Sequence, residues 1–152
     1  MKTILIDGNT LTLEDFYRVA RGGAPVGLTD SAKEQIQKAR DLLDEFIKTD
    51  KAYYGINTGF GALAARRIDK QDLKKLQRNL INSHTAGVGE FLPDDIVRGI
   101  ILLRANVLAK GYSGVRLEVA ELLLALLNHN ILPRIPAKGS VGASGDLAPL
   151  SH

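Results

Sequence analysis

The sequence predicts a mainly α fold, helix-rich throughout, with one short strand near its start and glycine-rich loops between the helices. Three observations predict it. Apolar residues recur at spacings of three and four along four stretches, 29–50, 69–83, 93–110 and 115–128. Glycine clusters punctuate the segments between them, at Gly22-Gly23, Gly55 to Gly61, Gly87 to Gly89 and Gly111 to Gly114. No internal repeat, low-complexity tract or interdomain linker breaks the pattern, so residues 1–152 read as a single region.

In order, 3–6 is a strand candidate ended by the turn signal Asp7-Gly8-Asn9. Residues 12–21 form a short helix, capped by Thr12 with Asp15 three positions on. Gly22-Gly23 stops it, and Pro25 and Gly27 keep the next few residues in a loop. Thr29-Asp30-Ser31 caps a longer helix to about residue 50, with Ala32, Ile36, Ala39, Leu43, Phe46 and Ile47 on one face. A loop over 52–61 precedes a helix over 69–83, capped by Asp69, with Leu73, Leu76 and Leu80 on one face. Pro93, Asp94 and Asp95 open the helix to Lys110, which Gly111 stops. Its apolar residues cover much of its circumference, so burial on several sides is expected. Arg104 inside it then needs an anionic or carbonyl partner. Four connector residues lead to the helix over 115–128, and two apolar helices so joined should pack antiparallel. His129 ends the pair, where a cationic or dipole-capping role is the default. Pro133 and Pro136 force an extended approach to the final stretch.

The chain has 152 residues, 45% hydrophobic and 24% charged, as for an ordinary soluble globular protein. There are no cysteines, so thiolate chemistry and disulfides are excluded, which suits the cytoplasm. The apolar run Ile4 to Ile6 is too short for a signal peptide or a membrane span, so no membrane partner is expected. The net charge is +3. Its densest basic region, Arg66, Arg67, Lys70, Lys74, Lys75 and Arg78, is interrupted by Asp69 and Asp72 and holds no aromatic residue to stack bases. It reads as a solvated helix face, not a nucleic-acid patch. His84, His129 and His152 share no metal-ligand spacing, so no metal is expected. Gly59 to Ala64 fits a loose G-x-G-x-x-A pattern. No apolar strand precedes it, and no acid follows about 20 residues on, so no nucleotide is expected.

The most unusual stretch is Gly139-Ser140-Val141-Gly142-Ala143-Ser144-Gly145-Asp146-Leu147-Ala148-Pro149. It offers almost no side chain to pack and can bend sharply. In a tight bend the Gly145 nitrogen can attack the Ala143 carbonyl carbon, closing a five-membered imidazolone with loss of water. Loss of the Ser144 hydroxyl removes a second water and leaves an exocyclic methylidene, a strong electrophile. The bend costs strain that the surroundings must hold. Taken alone, the stretch is also a plain Gly/Ser-rich surface loop.

Residues 142–150, Gly-Ala-Ser-Gly-Asp-Leu-Ala-Pro-Leu, resemble the signature of the aromatic amino acid ammonia-lyases and aminomutases. These enzymes build a 4-methylidene-imidazole-5-one (MIO) group from Ala-Ser-Gly, here Ala143-Ser144-Gly145. Tyr54-Gly55-Ile56-Asn57-Thr58-Gly59-Phe60-Gly61 is similar to the family's inner active-site loop, whose tyrosine removes the β-proton. That tyrosine is Tyr54, not Tyr53. As a base it needs a positive charge or a hydrogen-bond donor beside its phenolate. Without the resemblance, Tyr54 is a loop tyrosine with a satisfied hydroxyl. Ser83-His84 before Thr85-Ala86-Gly87-Val88-Gly89 resembles the family branch that acts on histidine, in which this histidine faces the substrate side chain. The resemblance implies substrate binding by His84 and Gly61, and supporting roles for Asn57 and Asp146.

The function expected is the one the resemblance implies. The substrate is L-histidine, a small molecule, and the products are urocanate and ammonia. The protein is cytoplasmic, a homotetramer as in the family. Family members are several times longer, so this chain represents the amino-terminal part of the fold without the long central helical bundle. Alone it is expected to be inactive and, with exposed apolar faces on the helix pair, to self-associate. The other readings are a tyrosine or phenylalanine ammonia-lyase or aminomutase, and a non-catalytic helical assembly fragment.

Overall fold

The computed structural model describes residues 1–49, 51–59, 68, 72–141, 145 and 147–152. In chain order its elements are β1 (Ile4–Ile6), α1 (Leu13–Ala20), β2 (Val26–Leu28), α2 (Asp30–Lys48), α3 (Leu73–His84), β3 (Val88–Phe91), α4 (Asp94–Ala109), α5 (Leu117–Asn128), β4 (Pro136–Lys138) and α6 (Leu147–Ser151). The mainly α expectation holds. The chain forms two compact units, Met1–Leu43 with Leu92–Pro133, and Asp44–Phe91 with Arg134–His152.

The first unit is built on an apolar core. Thr12 caps α1 as its sequence predicts. Its hydroxyl oxygen accepts from the Asp15 backbone N–H at 3.1 Å and donates to the Asp15 carboxylate at 2.9 Å. The segment after Pro25 is not a loop. Val26–Leu28 pairs in parallel with β1, Ile4 opposite Val26 and Ile6 opposite Leu28. The period-2 pattern explains the correction: Ile4, Ile6, Val26 and Leu28 all point into the core, and Gly27 lies opposite exposed Leu5. The outer edge of β2 is closed by a side chain. Asn128 Oδ1 accepts from Val26 N–H and Asn128 Nδ2 donates to the Val26 carbonyl, both at 2.9 Å.

Helices α4 and α5 pack on each other, α4 also on α1 and α5 also on β2, and Val97, Ile101, Leu102, Ala105, Leu108, Ala120, Leu124 and Leu127 are all buried. The expectation of burial around most of α4 is only partly met, since Ile96, Leu103 and Val107 are about half exposed. Arg104 is exposed, so its expected buried partner is not required. Among the described residues the buried arginine is Arg98, nearly two turns earlier on the inward face. Its Nε and Nη2 donate to the Val19 carbonyl at 3.1 and 3.0 Å. Its Nη1 donates to the Leu127 carbonyl at 3.1 Å and to Asn130 Oδ1 at 3.0 Å. Asn130 reaches that position in a left-handed conformation, φ +53, which asparagine tolerates better than most residues.

The second unit holds the end of α2, the 51–59 loop, α3, β3, β4 and α6. Strands β3 and β4 are antiparallel, with Val88 opposite Lys138 and Phe91 opposite Pro136. The extended approach imposed by Pro133 and Pro136 therefore ends as a strand. The partner strand after Gly87 carries no sequence pattern of its own and was not expected. Helix α3 begins at Leu73, after Asp72. Asp69, the expected cap, lies outside the described residues. Lys74, Lys75 and Arg78 are exposed, in keeping with a solvated face. Among the described residues, no helix is long and apolar enough to cross a membrane.

Candidate active site

The described candidate site residues fall in the second unit. Gly61, Ala143, Ser144 and Asp146 lie outside the described residues, and Tyr54, Asn57, His84 and Gly145 lie within them.

The loop carrying Tyr54 is folded around Asn57. This side chain is buried, with both its polar atoms paired. Oδ1 accepts from the Tyr53 backbone N–H at 2.7 Å, and Nδ2 donates to the Lys51 carbonyl at 2.9 Å. The Asn57 backbone N–H donates to the Tyr53 carbonyl, and its own carbonyl accepts from Ile68 N–H at 3.0 Å. An asparagine suits this position because it offers donor and acceptor a fixed distance apart. Thr58, also buried, accepts from Gly55 N–H at 3.3 Å and donates to the Gly59 carbonyl at 3.0 Å. These bonds close a tight turn and separate the two tyrosines. Tyr53 stacks on Phe46 with ring centroids 4.7 Å apart and planes 9° apart. Tyr54 is 64% exposed. Tyr53 is a packing residue, and Tyr54 is the ring presented to solvent.

His84 ends α3. Its Nδ1 lies 2.7 Å from the Leu80 carbonyl oxygen. A carbonyl can only accept, so Nδ1 carries the proton and the Nε2 of the neutral ring is left as an acceptor. The Ser83 hydroxyl donates to the same carbonyl at 2.8 Å and lies 3.1 Å from Nδ1. The Ser83-His84 pair therefore reaches back together onto the last turn of the helix, and the ring orientation is set by the backbone of α3.

Residue Gly145 has φ +104, a conformation that side chains other than glycine's rarely adopt. A Cβ there would meet nothing within 4 Å, so backbone conformation and not crowding demands glycine at this place. The stems on either side are tied together: Ser140 Oγ accepts from the Ala148 backbone N–H at 3.2 Å. His152, at the end of α6, accepts from Gly87 N–H through Nε2 at 3.0 Å. The sequence alone considers His152 only as a metal ligand, and excludes it by spacing. Its partner is 65 residues away along the chain, and no local pattern announces that contact. Among the described residues, no group of three or more His, Cys, Asp and Glu is arranged to hold a metal ion.

Residues 11–152 match the family model described as aromatic amino acid lyase. The chain belongs to that family. Among curated relatives, the histidine ammonia-lyase of Caldanaerobacter subterraneus is 54% identical over 152 residues, all of this chain and 30% of the relative. Among solved structures of the aromatic amino acid lyases and their kin, the histidine ammonia-lyase of Trypanosoma cruzi is similar with a TM-score of 0.87. It is 40% identical, covering 99% of this chain and 28% of that one. The tyrosine aminomutase of Streptomyces globisporus is also 40% identical, with a TM-score of 0.92 over 99% of this chain and 28% of that one. The chain thus has the ammonia-lyase and aminomutase fold over nearly its whole length. It spans about 30% of the length of the curated relatives it matches.

Proposed function

We propose that this chain is the amino-terminal part of a histidine ammonia-lyase, which eliminates ammonia from L-histidine to give urocanate. One observation carries the reading. A chain 54% identical along its whole length to a histidine ammonia-lyase has the Tyr54 turn, the His84 end of α3 and the stems of the Ala143-Ser144-Gly145 loop in one compact unit.

The residues suit a self-made MIO group. Gly145 already has the glycine-only backbone that a bend at this point requires, and the Ser140–Ala148 bond holds the loop ends together. Formed there, the group would supply an electrophile that accepts an electron pair from the substrate and makes the amine a better leaving group. The chain's own side chains would do the rest. Tyr54, exposed on the hydrogen-bonded turn, removes the β-proton. The Nε2 lone pair of His84 accepts a hydrogen bond from an imidazole N–H, which phenylalanine cannot offer. Asn57 holds the turn that aims Tyr54, while Gly61 and Asp146 complete the substrate pocket and the loop. The whole enzyme is a cytoplasmic homotetramer in this reading.

The second reading, a tyrosine aminomutase, rests on the likeness to the Streptomyces globisporus enzyme. Ammonia and urocanate release from L-histidine, assayed beside L-tyrosine and L-phenylalanine on the intact polypeptide carrying this sequence, decides between them. Turnover of L-histidine that is abolished by Ser144→Ala and selectively weakened by His84→Phe is the expected result. Conversion of L-tyrosine with L-histidine untouched would overturn the histidine reading.

A further inference from the structure

The imidazole of His152 stands on the C-terminal stem of the bend-forming loop and carries none of the roles assigned above. Its Nε2 takes a hydrogen bond from the Gly87 backbone N–H at 3.0 Å. A backbone N–H can only donate, so Nε2 is the unprotonated nitrogen and the ring proton sits on Nδ1. The fit around this bond is close. A Cβ on Gly87 would lie 2.7 Å from His152 Nε2 and 3.0 Å from the ring carbons of Pro136. A Cβ on Gly139 would lie 2.9 Å from the Gly87 Cα and 3.2 Å from the Ala148 side chain. Gly87 is therefore the floor on which both stems rest. Gly139 touches it from the N-terminal stem, and His152 bonds to it from the C-terminal stem. The Ser140–Ala148 bond joins the stems to each other at 3.2 Å.

We propose that His152 is a positioning residue for ring closure in Ala143-Ser144-Gly145, because its imidazole fastens the C-terminal stem of that loop to the Gly87 backbone. The inference rests on the MIO reading. The step it serves forms a bond from the Gly145 nitrogen to the Ala143 carbonyl carbon. The carbonyl oxygen leaves as water with the protons of the Gly145 and Ser144 nitrogens, and a carbon–nitrogen double bond remains. The Ser144 hydroxyl then leaves with the Ser144 Cα proton as a second water, giving the methylidene. No oxidant or other reactant is needed. An amide nitrogen is a poor nucleophile, so the rate depends on how often the two atoms are held within reach. Fixing both ends of a short loop raises that frequency, the same gain that orientation gives any intramolecular reaction. His152 touches neither reacting atom and acts only through the stem.

The experiment follows ring formation in the freshly made intact polypeptide by intact mass, as the loss of two waters, and by the near-ultraviolet band that grows with it. His152→Leu keeps bulk and removes the acceptor. His152→Gln restores an acceptor oxygen near the place of Nε2. The expected result is ring formation at least tenfold slower in His152→Leu and largely rescued in His152→Gln, with matching changes in hydrogen exchange at the Gly87 amide. Equal rates of ring formation in the wild type and His152→Leu would overturn the role of His152 alone. A wild type that never loses water would overturn the MIO reading and this inference together. A test that needs no variant is nitrogen NMR of the His152 ring in the wild type. The Nδ1–H tautomer is expected, and the Nε2–H tautomer would overturn the proposal even if His152→Leu fails to fold.

Discussion

Replacing Asn57 by alanine tests whether the Tyr54 turn is held by one side chain. Two hydrogen bonds are lost, to Tyr53 N–H at 2.7 Å and to the Lys51 carbonyl at 2.9 Å. They are not equal. Lys51 is exposed, so its carbonyl finds water, and that loss is worth the net value of one bond, about 0.5–1 kcal/mol. Tyr53 is half-buried against Phe46, and its N–H is left short of a partner at a cost of about 1–2 kcal/mol. The sum is about 2 kcal/mol, roughly a thirtyfold change in the opening of the turn. Asn57→Asp keeps the acceptor for Tyr53 N–H but sets a carboxylate oxygen against the Lys51 carbonyl. Its expected cost is about 1 kcal/mol or more. Hydrogen exchange at the Tyr53 amide, read beside urea unfolding, measures both. Exchange in Asn57→Ala within a factor of about three of wild type would refute the reasoning, since the turn would then be held by Thr58 and the backbone alone.

Arg98→Met leaves the buried Val19 carbonyl without its donor, takes a second donor from the Leu127 carbonyl, which keeps the Asn130 N–H at 3.2 Å, and should cost about 2–4 kcal/mol in urea unfolding. Arg98→Lys should recover only part of this, because one ammonium lacks the fork that reaches both carbonyls. The Asp7 carboxylate accepts from the backbone N–H groups of Asn9 and Thr10, both at 2.8 Å, which holds its pKa below the ordinary 3.8. A depressed folded-state value means that this contribution is present above the unfolded value and is lost as pH falls through the folded one. A carboxyl carbon titration by NMR should place the Asp7 midpoint below 3.8, and a midpoint at or above it would contradict the turn geometry.

Local chemistry is legible in the sequence, and long-range contact is not. The Thr12 cap, the starts of α2 and α4 and the extended run after Pro133 follow from residues a few positions apart, and each appears in the structure. Strand β2 is hidden because Pro25 and Gly27 look like loop formers. Only the pairing of Val26 and Leu28 with β1 makes three such residues a strand. Sequence points to Arg104 as the buried arginine because an apolar helix surface does not reveal which face is inward. Arg98 is inward because Val19 and Leu127, distant in sequence, present carbonyls to it. The same holds at the site. Tyr54, His84 and Ala143-Ser144-Gly145 stand out as motifs, whereas Asn57 as the hub of a turn and His152 as a tie to Gly87 exist only once the chain is folded.

The two units are held by different forces, and that difference bears on what the second one can do. In the first, a continuous set of buried aliphatic residues from β1, β2, α1, α4 and α5 provides stability that no single polar bond decides. In the second, α3 buries none of its residues. Apart from Gly59, the buried residues described there are Asn57, Thr58, Ile135 and Ala148. Its order rests on directional bonds from side chain to backbone: Asn57 and Thr58 within the turn, His84 on Leu80, Ser140 on Ala148, His152 on Gly87. An apolar core tolerates small shifts and fixes position loosely, whereas a hydrogen bond weakens steeply with distance and angle. In the proposed reading this segment holds a bend, a ring tautomer and an exposed phenol in fixed orientations, a task such bonds serve better. Single substitutions at these polar residues should therefore disturb chemistry well before they unfold the chain, and substitutions in the first unit should do the reverse.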